Sequence, residues 1–253
     1  MSSSLVGSDM CIRDSPYVAL RRALAMDEET QASTTAFHTL DAFNGDLAAE
    51  VMVSVEQAME GDSGPWSNLV SNRPELRERL VQQGINEPTT FASIRWDPAM
   101  LLFTACAELT SDGRPLPLGE TMTRERFGRF PYGDGSALAY LLEFIRPNRS
   151  ITEHDGQSLY DELINALEQL AHGCEEAQRG HDRFENGFGG MHIHGFLRAE
   201  EVRQLRKNLA GRAWTASYEE PLDGGVADVA KHFTTLLKAA ERRGVGLALR
   251  THR

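Results

Sequence analysis

Cysteine is scarce in this chain of 253 residues: it occurs at Cys11, Cys106 and Cys174 alone. Thiols so few and so widely spaced build neither a disulfide framework nor a zinc knuckle, and they fit a reducing, cytoplasmic setting. Long apolar runs are missing too. None approaches the ~20 residues that a membrane-spanning helix needs, so no membrane partner is expected. Positive charge is outnumbered, with 26 basic against 37 acidic residues and a net charge of −11. That balance disfavours sequence-independent nucleic-acid binding, which works by neutralising phosphates. Lysine is restricted to Lys207, Lys231 and Lys238, so almost every basic residue is an arginine. No G-x-x-x-x-G-K-[ST] loop, no Rossmann glycine fingerprint and no G-x-S-x-G elbow occurs, which removes the best-marked phosphate, dinucleotide and serine-hydrolase signatures.

What remains is an ordinary globular composition, 41% hydrophobic and 25% charged. The spacing of apolar residues predicts helices over 16–26, 46–60, 74–83, 136–145, 158–178, 200–210 and 226–243. In the 46–60 segment Leu47, Val51, Val55 and Ala58 or Met59 share a face, and Gly61 supplies a stop. Residues 61–66 read as a loop. Asn72 and Glu75 are placed as a capping box for the helix that follows. Asp97-Pro98 reads as a cap and first helical residue. The apolar run from Ala99 to Leu109 suits a buried helix, with a central strand as the alternative. Ser158 and Asp161 form a second capping pattern, ahead of a stripe of Leu159, Leu163, Leu167, Leu170, Cys174 and Ala177. Strands are expected over 90–96, 213–218 and 245–251 from β-branched and aromatic content. Helix dominates and the strands are separated, so the expected class is α+β with a small sheet, in a single domain over 16–253 with a possible subdivision near 111–120.

The N-terminal run from Val6 to Ser15 (VGSDMCIRDS) resembles a translated library-adapter segment of metagenome assemblies. That resemblance implies a non-native stub over residues 1–15, a gene cut at its upstream end and an environmental, bacterial source. A disordered native tail is the alternative, and both assign these residues no function.

Two constellations carry candidate chemistry. His181, Asp182, Glu185, His192 and His194 lie in and around a glycine-rich stretch. Strand alternation puts His192 and His194 on one face, where two imidazoles and a third ligand can hold a divalent metal and leave a position open for water. Such a metal would support hydrolysis. The plainer alternative is a hydrogen-bonded histidine pair beside a loop. The second constellation is Arg124, Arg126 and Arg129 followed by Gly135 and Ser136, where arginines and helix N–H groups can hold a small anion. Its plainer alternative is a turn with an ordinary serine cap. Cys106 and Cys174 read as buried, inert thiols, and Glu153, His154 and Asp155 as a polar turn.

Gly-Phe-Leu followed by a helix with Glu-Glu-Val (Gly195 to Leu209), a spacer, and a long helix and final apolar strand (Phe233 to Leu249) resemble the closing segment of small bacterial proteins of unknown function and of immunity proteins. That resemblance implies a protein partner and brings no catalytic residues. Three functions are therefore expected, in this order: a non-catalytic, immunity-like interaction protein, a metal-dependent hydrolase using His192 and His194, and a binding module for a small anion near Arg124–Ser136.

Overall fold

The computed structural model describes residues 37–110, 113–150, 154–174, 180–181 and 191–252. The fold is α+β. Residues 36–253 form one compact unit, organised by an antiparallel sheet of four strands. They are β1 (Phe37–Phe43), β3 (Gly180–His181), β4 (Met191–Leu197) and β6 (Gly246–His252), in the order β1-β6-β4-β3. A second, two-stranded sheet pairs β2 (Ile145–Pro147) with β5 (Trp214–Ala216).

The central strand β6 ends the described chain yet pairs along its length with β1 and β4. Its alternation serves two cores. Leu247 and Leu249 point to one face and join Leu40, Ala42 and Leu197. Ala248 points to the other and joins Phe43, Met191 and Ile193. Both faces are covered, so β6 carries apolar residues on both and none of residues 247–251 is exposed to solvent.

The helices are shared between these faces. On the Ala248 side lie α1 (Gly45–Met59), α2 (Gly64–Asn72), α3 (Pro74–Gln82) and α4 (Pro98–Cys106). On the Leu249 side lie α5 (Thr121–Gly128), α6 (Ala137–Phe144), α7 (His154–His172), α8 (Ala199–Ala210) and α9 (Gly225–Arg243). Leu109 packs against the Ala248-side core and Leu118 belongs to the Leu249-side core, so the chain changes sides between α4 and α5.

Local chemistry sets most boundaries, at Asp97 and Ser136 as expected and at Asn44 besides. Asn44, Asp97 and Ser136 each accept a hydrogen bond from the backbone N–H three residues on, at 3.0, 3.0 and 3.1 Å, and so cap α1, α4 and α6. Gly244 closes α9 at φ 68°, a conformation that favours glycine. In α8, Glu201 accepts from the Arg198 N–H at 2.6 Å, and Val202, Leu205 and Leu209 are buried.

Four expectations are corrected. Residues 61–66 are not wholly a loop: Asp62 turns the chain by accepting from the Gly64 N–H at 3.0 Å, Pro65 occupies the first turn of α2, and Trp66 is fully buried with its indole donating to the Pro88 carbonyl at 2.8 Å. Asn72 does not cap α3, because it is the last residue of α2. Arg73 is the boundary residue and spends its side chain on Glu50. Residues 90–96 form no strand but a 3-10 turn over Phe91–Ser93, where the Ser93 hydroxyl donates to the carbonyls of Glu87 and Thr90. A serine that bonds its own backbone competes with strand pairing. Finally, α7 starts four residues before Ser158 and stops at His172. Leu159 is accordingly 41% exposed, while Leu163, Leu167 and Leu170 are fully buried. Cys174 lies past the helix end, where its N–H donates to the His194 carbonyl at 2.7 Å. The expected helix over 16–26 lies outside the described residues.

Candidate functional site

The histidines of β4 sit beside an irregularity that sequence spacing does not reveal. Register with β6 runs His192 to Thr251 and Ile193 to Arg250, then shifts between Ile193 and Gly195, so that Gly195 faces Leu249. The extra residue is His194, held in a β-bulge. Met191 and Ile193 therefore face the Ala248 core, while Gly195 and Leu197 face the Leu249 core. Close packing accompanies the bulge. A Cβ on Gly195 would stand 2.1 Å from the Gln169 carbonyl oxygen and 2.7 Å from that of Leu170, so only glycine lets α7 lie this close to β4.

His192 and His194 lie on the same face, with ring centroids 6.4 Å apart. Nε2 of His194 is 2.9 Å from the Thr251 hydroxyl, close enough to hydrogen-bond. A third imidazole comes from the far edge of the sheet: His38 of β1 is registered against Thr251, and its ring lies 6.1 Å from that of His194. The result is a row of three histidines around one threonine, crossing three strands. His38 is buried, at 4% exposure. Sequence reasoning missed it, because it lies more than 150 residues from the other two and only strand pairing brings it there. Among the described residues, no group of three or more His, Cys, Asp or Glu side chains is arranged to hold a metal ion. Of the other expected ligands, Asp182 and Glu185 lie outside the described residues, and His181 is described only as part of β3, beside Met191.

The arginine and glycine constellation is dispersed over α5 and the turn behind it. Arg124 donates to the Thr121 hydroxyl at 3.1 Å, Arg126 is 3.9 Å from Asp228 of α9, and Arg129 lies over the Phe37 ring at 5.2 Å. Gly135 takes φ 89°, its carbonyl accepting from the Phe130 N–H, and Ser136 caps α6. Each group has a structural task in place.

The two described cysteines are buried. Burial pushes the Cys106 thiol well above its ordinary range, against the opposing pull of Arg79 and Arg73. A thiol held protonated is a poor nucleophile. Tyr140 is buried in an aromatic cluster with Phe130, Tyr132 and Phe144, and burial pushes its phenol up to about 12. Its hydroxyl donates to Glu220 at 3.1 Å, and the same carboxylate accepts from the Val226 N–H at 2.5 Å, tying α6 to the start of α9.

Three surface clefts differ in charge. One of about 660 Å³ opens at the starts of α1 and α3. It mixes both signs: Arg73 pairs with Glu50, Asp46 with Arg198 and Glu108 with Arg243, Arg79 donates to the carbonyls of Ala105 and Ala107 at 2.9 and 2.8 Å, and Glu75 also lines it. A second, of about 750 Å³ between α1 and α2, is lined mainly by apolar and uncharged polar residues. The third, of about 610 Å³, lies between α6 and α7. Glu143, Asp161 and Glu168 border it, with Leu142, Tyr160 and Ile164 half-buried beneath. The helical spacing alone puts Asp161 and Glu168 on the polar face of one helix, but the groove needs α6, with Glu143, beside α7. Comparison with protein-family models, curated proteins and solved structures finds no match.

Proposed function

We propose that this chain is a non-catalytic interaction protein of the immunity-like kind, which engages a protein partner through an acidic surface. The observation that carries this reading is the net charge of −11, expressed on outward helix faces such as that of Asp161, Glu162 and Glu168 on α7. A field of one sign steers and speeds encounter with an oppositely charged partner more than it sets affinity. Co-expression with the proteins encoded beside it, followed by gel filtration, tests the reading. A stoichiometric complex whose association slows as salt is raised is expected. Failure of every neighbour to form one would overturn it.

A metal-dependent hydrolase is the second reading, supported by the shared face of His192 and His194. It requires metal in the purified protein, lost in His192→Ala, and a melting temperature that rises with zinc or manganese. A metal-free chain whose melting temperature ignores both ions sinks it.

A further inference from the structure

The three clefts differ in what they can attract. The cleft at the starts of α1 and α3 mixes signs, with Arg73 and Arg79 beside Asp46, Glu75 and Glu108, so neither sign of ligand is strongly favoured. The α1–α2 groove offers a single acid, Glu50, and that is bound to Arg73. In the α6–α7 groove, none of Glu143, Asp161 and Glu168 pairs with a cation among the described residues. The arginine that lines this groove, Arg146, is turned onto the backbone, donating to the carbonyls of Glu143 and Ile145 at 2.7 and 2.8 Å.

The spacing along α7 adds direction. Asp161, Asn165 and Glu168 stand at i, i+4 and i+7, one stripe about 10 Å long at 1.5 Å per residue. Tyr160 and Ile164, at i and i+4, form the apolar stripe beside it. Tyr160 is fixed across the groove by its hydroxyl, which donates to the Ile145 carbonyl at 3.2 Å. Glu143 supplies the acid on the opposite, α6 wall. An apolar floor bordered by three acids against one arginine is complementary to an amphipathic helix with an apolar stripe and basic flanks.

Resting on the interaction reading above, we infer that the α6–α7 groove docks a basic amphipathic helix of the partner protein. Apolar side chains of that helix would cover Leu142, Tyr160 and Ile164. Its lysines or arginines would meet Glu143 on one wall, and Asp161 and Glu168 on the other.

The test uses the full chain and a fluorescein-labelled peptide of fourteen residues, leucine and lysine at helical spacing, with a glutamate-for-lysine counterpart. Anisotropy is read at physiological salt. Saturable binding of the basic peptide and none of the acidic one is expected. The triple variant Glu143→Gln, Asp161→Asn, Glu168→Gln should weaken binding about tenfold or more, as expected for losing charges that face the ligand. A control triple at exposed acids on the other side of the sheet, Glu60→Gln, Glu78→Gln and Glu87→Gln, changes net charge equally and should leave binding within about twofold. Equal losses in the two triples would show attraction to net charge alone and overturn the groove. So would a groove triple that binds like the wild type, or no binding at all. Should the groove triple not fold, a photo-crosslinking version of the peptide on the wild-type chain decides: attachment to α6 and α7 supports the proposal, and attachment elsewhere overturns it. A stoichiometric partner whose affinity is unchanged in the groove triple overturns the groove and leaves the interaction reading standing.

Discussion

The pair most exposed to a single substitution is Asp41–Arg250, buried between the sheet and α4. Asp41 is 4% exposed and Arg250 5%. Nε and Nη2 of the arginine donate to Oδ2 and Oδ1 at 2.6 and 3.1 Å, and the guanidinium lies 4.4 Å over the Phe103 ring. The contact ties β1 to β6, and β1 carries His38. Two charges taken out of water gain little net stability, because desolvation offsets most of their attraction; one charge left without its partner is expensive. Asp41→Leu and Arg250→Met should therefore each cost about 3–5 kcal/mol. For a domain of this size that is a fall of roughly 6–20 °C in melting temperature. The double variant replaces both charges by apolar groups and should recover to within about 1 kcal/mol of wild type, or exceed it. Urea unfolding of all four proteins measures the cycle, with an unchanged slope confirming that only stability moved. A double variant as unstable as the sum of the singles would refute the reasoning, since the charges would then contribute independently.

Other perturbations follow from the same geometry. Gly195→Ala drives a methyl into the carbonyls of Gln169 and Leu170, so it should destabilise by more than about 1–3 kcal/mol, the usual cost of overpacking; a thermal melt near wild type would mean that α7 can retreat. Arg79→Met leaves the carbonyls of Ala105 and Ala107 without their charged donor and should cost about 1.5–3 kcal/mol in denaturant unfolding. The Tyr140 phenol keeps its proton to about 12 in the folded chain and to about 10 unfolded. Its stabilisation is therefore complete below pH 10 and fades as pH rises toward 12, and Tyr140→Phe should flatten that part of the urea-midpoint profile. Glu241 is held below its ordinary range chiefly by the hydrogen bond from Arg206. Its contribution is present above about pH 4.5 and lost as pH falls further, so Arg206→Gln should blunt the acid limb of the same profile.

Much of the fold was legible because local chemistry and tertiary packing agree there. In α8 and α9 the apolar period, the acidic first turns and the terminal glycines point to one answer, and both form within a residue or two of expectation. The failures share a different cause. Trp66, Phe91 and Ser93 belong to a segment whose conformation is decided by what it touches: the Trp66 indole finds the Pro88 carbonyl, and the Phe91 ring meets Trp66 edge-on at 5.8 Å. β-branched and aromatic content predicts a strand only if a partner strand is present, and Thr90–Trp96 has none among the described residues. Likewise Asn72 has the composition of a cap, but two short helices abut there with a single residue, Arg73, between them.

The candidate sites divide along the same line. His192 and His194 were visible because strand alternation is a property of neighbours in sequence, and the bulge happens to preserve it by inserting its extra residue at His194 itself. His38 joins them through β6, which pairs with both flanking strands and places Thr251 between His38 and His192. No pattern within β1 marks that histidine, since its neighbours Leu40 and Ala42 continue the same face as ordinary core. The α6–α7 groove is hidden for the converse reason. By sequence one wall reads as a short apolar helix and the other as a common amphipathic helix with a polar outer face. The acids acquire meaning once the second wall brings Glu143 across from Asp161 and Glu168, with half-buried apolar side chains between them. A charged residue at the water boundary gains little from any one exposed pair. Three acids against one arginine around an apolar floor instead set both the sign and the shape of what can dock, and that is why the groove, more than the net charge, gives the interaction reading a place on the molecule where it can fail.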